Sequence, residues 1–106
     1  MAYFLLQVGY TPEALAAMVK NPQDRSQAVK GAVEKLGGKI ERFWLSFGDY
    51  DTVGIVQMPD SVSAAAFSMA VGAGGACRSV KTTPLLSVEE GVTAMQKAAT
   101  CGYYFG

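Results

Sequence analysis

The sequence predicts an α+β fold: a four-stranded antiparallel sheet with helices on one face, plus a C-terminal helix. Three observations predict it. Short apolar or alternating runs recur at residues 3–8, 39–47, 52–58 and 77–86, and that is strand patterning. Stripes of helical spacing separate the first run from the second and the third from the fourth. The middle two runs are joined by only Gly48-Asp49-Tyr50-Asp51, too short for a crossover, so they pair as a hairpin.

Taken in order, Tyr3 to Val8 is an apolar run bounded by Gly9. Thr11-Pro12 then offers an N-cap followed by proline at the first helical position. A helix from Glu13 to Lys20 should stop at Asn21-Pro22, because proline disfavours helical geometry in the residue before it. Asn21 is also placed to cap a restarted helix. In that helix Val29, Ala32, Val33 and Leu36 make one stripe, ended by Gly37-Gly38. The first helical region is therefore two pieces bent near Pro22.

Lys39 to Phe47 alternates, with Glu41, Phe43, Leu45 and Phe47 on one face and Ile40, Arg42, Trp44 and Ser46 on the other. If Phe47 pairs with Thr52, Leu45 faces Gly54 and Phe43 faces Val56. Both sides of the hairpin are then largely apolar. Pro59-Asp60-Ser61 stops the strand and caps the next helix, whose stripe is Val62, Ala66, Met69 and Ala70. Gly72 to Gly75 ends it. Cys77 to Leu86 is the fourth strand, with Pro84 marking an edge or a bulge. Ser87-Val88-Glu89-Glu90 matches a capping box, and Val88, Val92, Met95 and Ala99 stripe the helix that follows.

Strand, helix, strand, strand, helix, strand is the ferredoxin-like order, βαββαβ. Residues 1–90 form that domain. Residues 91–106 are a C-terminal helix and an aromatic tail (Tyr103, Tyr104, Phe105) packed on the same domain or on a partner subunit. The helices shelter one face of the sheet. The other shows Trp44, Val53 and Ile55, or Phe43, Leu45 and Val56, depending on register. Burying about 400 Å² of it per subunit, at about 25 cal/mol per Å², contributes on the order of 10 kcal/mol before association costs. A homodimer packed sheet against sheet, or a higher homo-oligomer, is the expectation.

Composition narrows the function. The 106 residues carry nine basic and nine acidic side chains and no histidine. Nothing favours a nucleic acid or an anionic membrane, and the commonest general base and metal ligand is missing. Charged residues are 17%, against the usual figure of about 25%, so polar cover is thin and part of the surface is expected to be hidden in an oligomer. The N-terminus has no signal-peptide pattern and no apolar run is long enough to span a membrane, so a cytoplasmic protein is expected. Cys77 and Cys101 are then free thiols, with Cys77 read as buried and inert.

Gly48-Asp49-Tyr50-Asp51, preceded by Leu36-Gly37-Gly38-Lys39 and followed by Met58-Pro59-Asp60, resembles the GYD domain family. Tyr10-Thr11-Pro12-Glu13 and Thr82-Thr83-Pro84-Leu85 fit the same pattern over residues 2–90. The resemblance implies a ferredoxin-like fold of the dimeric α/β-barrel type, and no established activity. The same turn recurs in the effector-binding domains of leucine-responsive (Lrp/AsnC-type) regulators, which bind amino acids between subunits. This chain lacks their helix-turn-helix. It departs from the GYD pattern at Gly72 to Gly75 and after Glu90.

The candidate ligand-binding residues are Arg42, Trp44, Gly48, Asp49, Tyr50 and Asp51; no catalytic residue, metal site or cofactor is assigned. Asp49 and Asp51 are paired carboxylates or, the favoured reading, turn formers bonded to local backbone. Tyr50 at the tip stacks on a ligand or fills a slot in a neighbouring subunit. Arg42 and Trp44, with Arg78 nearby, could hold a small anion, although Trp44 as interface core is favoured. The leading expectation is a non-catalytic module binding a small metabolite at a subunit interface. A cofactor-free oxygenase or isomerase with its site between helices and sheet, and with Tyr3, Tyr10, Arg42, Asp49 or Asp51 moving protons, is the alternative. A structural or assembly protein is the third.

Overall fold

The computed structural model describes residues 1–103. The elements are β1 (Ala2–Tyr10), α1 (Pro12–Lys20), α2 (Ser26–Lys35), β2 (Lys39–Leu45), β3 (Thr52–Met58), α3 (Ser61–Ala73), β4 (Cys77–Leu85) and α4 (Val88–Ala98). The sheet order is β2-β3-β1-β4 with every neighbour antiparallel. This is the ferredoxin-like arrangement expected from the element order. Pro84 lies on β4, an edge strand, where its missing N–H costs no ladder bond.

The core follows from period-two alternation on the two central strands. Phe4, Leu6 and Val8 of β1 and Val56 and Met58 of β3 point to one face, where Val33 of α2 and Ala64 and Phe67 of α3 cover them. Each fully buried large side chain contributes about 1.5–3 kcal/mol. Helix starts are set locally. The Thr11 hydroxyl accepts from the Ala14 N–H at 3.1 Å, Asp60 accepts from Ser63 at 2.7 Å, and Ser87 and Glu90 close a reciprocal box. Among the described residues, no helix is long and apolar enough to cross a membrane.

Three local expectations are corrected. Leu45, not Phe47, lies opposite Thr52, and Phe43 lies opposite Gly54. The strand ends at Leu45, and a six-residue connection, Ser46 to Asp51, closes with the Ser46 N–H donating to the Asp51 carbonyl at 2.8 Å. The slip is two residues, so the faces of Phe43, Leu45 and Trp44 survive it. Second, the ladder shifts between Ile40 and Arg42. This bulge takes up Glu41 and turns Ile40, expected beside Trp44, onto the core side opposite Val56. Third, Asn21 closes α1 by donating its N–H to the Ala17 carbonyl, and α2 begins only at Ser26, after Arg25.

The uncovered sheet face carries Trp44, Val53 and Ile55 with Tyr3 and Leu5, the first of the two expected sets. Two helices stand off the body. Neither α1 nor α4 has a buried residue, and α4 makes no extensive contact with another described element. The radius of gyration is accordingly 16.7 Å and the longest extent 56 Å, where about 13 Å is usual for a compact domain of this length. Tyr103 is exposed; Tyr104 and Phe105, expected to dock on a partner, lie outside the described residues.

Candidate functional site

Between α2, α3 and the covered face of the sheet lies a cavity of about 200 Å³. It exists because small residues stand there: Ala28 and Ala32 on α2, Ala70 on α3, and Gly74, which caps α3. Leu6, Val8, Val29, Phe43, Phe67 and Val71 make the rest of the wall apolar. Tyr10, Arg25, Thr52 and Cys77 supply its polar and titratable groups. Among the described residues, Thr52 is the one buried polar residue. Its hydroxyl donates to the Tyr10 hydroxyl at 3.0 Å, which satisfies both groups and holds the phenol at the cavity wall. Burial pushes the Cys77 thiol up from its ordinary pKa, and the Arg25 guanidinium partly offsets this. At neutral pH Cys77 is a protonated wall residue and a poor nucleophile.

Tyr10 is fixed twice. Its backbone N–H donates to the Asp51 carboxylate at 2.8 Å, while the Asp51 N–H donates to the Val8 carbonyl at 2.8 Å. Asp51 thus stitches the hairpin to the end of β1. It is a backbone binder, but its carboxylate partner is a distant strand and not the local turn. An apolar groove of about 870 Å³ adjoins the cavity and shares Tyr10, Arg25 and Phe43 with it. Leu15, Met18 and Val19 of α1 form one bank, and Leu45 and Phe47 the other.

The six candidate residues are not gathered in one place. Arg42 and Trp44 stand on the open sheet face opposite Ile55 and Val53, with Trp44 49% exposed. Gly48, with φ 116°, and Asp49 are exposed at the hairpin tip, and Tyr50 is half-buried there. Only Asp51 of the six lines the groove. Arg78, expected near Arg42, instead crosses Gly9 and donates to the Asp49 carbonyl at 2.9 Å. Arg25 and Thr52 went unmarked as site residues in the sequence. Their signals were the lone polar residue at a core position of β3 and the small-residue stripes facing it.

No curated protein and no solved structure matches the chain. The GYD domain family model matches residues 4–95, from the first core residue of β1 to Met95 of α4. The match takes in the sheet from Phe4 on, the hairpin and the cavity walls, and the chain belongs to the GYD domain family.

Proposed function

We propose that this GYD domain is a non-catalytic binding module that holds one small, mainly apolar molecule in the cavity beneath α2 and α3. The observation that carries this reading is the chemistry of the cavity wall. Among the described residues it has an aromatic and aliphatic lining, one hydroxyl pair, one thiol and one guanidinium, and no carboxylate. Of the residues a cofactor-free enzyme would use to move protons, Tyr3, Arg42, Asp49 and Asp51 are not part of that lining; Tyr10 is, with its hydroxyl accepting from Thr52. A volume of about 200 Å³ suits a ligand of benzene size or somewhat larger. Arg25 at the mouth favours an acidic group on the ligand. The module works as a homodimer whose uncovered sheet faces meet, because Tyr3, Leu5, Trp44, Val53 and Ile55 form an apolar patch that no helix of the protomer shelters.

Thermal denaturation with benzoate and with benzyl alcohol tests the binding reading. Binding to the native state raises its stability by about 2.7 kcal/mol at one hundred times Kd. Benzoate is expected to raise the midpoint more than benzyl alcohol, and Ala32→Phe, which fills the cavity, is expected to remove the effect of both. An unchanged midpoint for the native sequence, or an equal rise in Ala32→Phe, contradicts the proposal.

A further inference from the structure

Among the described residues, two apolar surfaces lack a partner within the protomer, and they lie at opposite corners of it. The first is α4. Val88, Val92 and Met95 fall at i, i+4 and i+7, one stripe of a helix, and Val88 and Met95 are 87% and 71% exposed. The reciprocal Ser87–Glu90 box starts this helix without help from packing. The second is the groove between α1 and β2. Its Val19, Leu45 and Phe47 are 78%, 81% and 96% exposed, and no residue of α4 lines it.

The topology keeps the two apart within one copy. α4 leaves the sheet at Leu85, which pairs with Tyr3 at the start of β1. The groove opens at the other end of β1, where Tyr10 meets Asp51, and along β2, the opposite edge strand. Only Leu86 and Ser87 separate Leu85 from α4, a reach of about 7 Å. The strand from Tyr3 to Tyr10 runs about 23 Å, and the two edge strands lie about 14 Å apart. At about 16 Å long, α4 matches the α1 bank, about 13 Å.

We infer that α4 docks in the α1–β2 groove of a second copy of this chain, its Val92 and Met95 stripe against Leu15, Val19, Leu45 and Phe47. The exchange is reciprocal, so both grooves and both helices are satisfied in a closed pair. Because the groove shares Tyr10, Arg25 and Phe43 with the cavity, the incoming helix closes the mouth of the site. That last consequence rests on the cavity being the ligand site; the docking itself does not.

Inter-copy disulfide trapping tests it, since a disulfide needs Cα atoms within about 7 Å. Two full-length populations, both Cys77→Ser and Cys101→Ser, carry Met95→Cys and Val19→Cys respectively and are mixed under mild oxidation. A Met95→Cys to Val19→Cys heterodimer is expected, with none from Lys97→Cys, which lies on the other side of α4. Equal trapping by Lys97→Cys, or no heterodimer, overturns the inference. So does an intramolecular disulfide in a single chain carrying both cysteines, which would mean that α4 folds back on its own groove. Ile55→Lys in both populations separates this contact from the sheet pairing. Trapping that survives Ile55→Lys supports helix docking even if the sheets do not pair.

Discussion

The Asp51 carboxylate accepts the backbone N–H of Tyr10 at 2.8 Å. Forty-one residues separate the two, and the bond ties the tip of the β2–β3 hairpin to the last residue of β1. The Tyr10 ring is thereby held over the cavity, with its hydroxyl on Thr52. Asp51→Ala removes the acceptor from a part-buried N–H, and a loss of about 1–2 kcal/mol is expected in urea denaturation. Asp51→Asn keeps an acceptor and should lose less. If both variants match the native midpoint, the tie does not hold the site.

Glycine contacts predict two unequal outcomes. A Cβ on Gly38 would lie 2.5 Å from the Gln57 carbonyl oxygen and from the Met58 sulfur. The backbone of β3 cannot give way, so Gly38→Ala is expected to cost about 1–3 kcal/mol. The three atoms nearest a Cβ on Gly9 all belong to the Arg78 guanidinium, with its central carbon at 2.7 Å, and that side chain can swing aside. Gly9→Ala therefore loses little beyond the exposed Arg78–Asp49 hydrogen bond, under about 1 kcal/mol. Chemical denaturation of the two variants side by side checks the order.

Acid sensitivity follows from the α3 cap. The Ser63 backbone N–H, followed by its hydroxyl, holds the Asp60 carboxyl below its ordinary pKa. A depressed folded-state pKa contributes stability that is complete above the unfolded carboxylate pKa and is lost as pH falls through the folded one. Asp60→Asn retains a capping oxygen but no titration. Its stability should therefore fall less steeply than that of the native chain below the ordinary carboxylate range. Parallel slopes from pH 5 to pH 2 would contradict this. Glu90, held down by Ser87 in the same way, acts in the same window.

Pairing through the open sheet face predicts a separation of stability from assembly. Ile55 is half-buried in the protomer, on the side without helices. Ile55→Lys is expected to leave folding cooperative while shifting sedimentation toward a smaller species at the same concentration. Unchanged sedimentation would remove sheet pairing from the account.

What the sequence disclosed was whatever period and capping control. The apolar run from Tyr3 to Val8 marked β1 without saying which side is core, and Thr11, Asp60 and Ser87 marked helix starts to within a residue. The hairpin register was not legible, because Gly48-Asp49-Tyr50-Asp51 is a good turn in either register. Its faces nevertheless came through, since a two-residue slip conserves parity. The bulge at Glu41 left no local signature. The stand-off of α1 and α4 was hidden for a different reason: an amphipathic stripe looks the same whether it meets its own core or another chain. A site between helices and sheet was expected only for the enzyme reading, and its lining was not legible, because the cavity is made by missing bulk, at Ala28 and Ala32 of α2, Ala70 of α3 and the capping Gly74, and not by a recognisable motif.

Methyl resonances followed during a benzoate titration test the central claim most directly. The account predicts that the methyl signals of Leu6, Val8, Val29 and Val71, all on the cavity wall, shift together and saturate. Those of Leu5, Val53 and Ile55 on the opposite face stay in place. Shifts centred on Val53 and Ile55 beside Trp44, or no saturable shift in the cavity methyls, would contradict it.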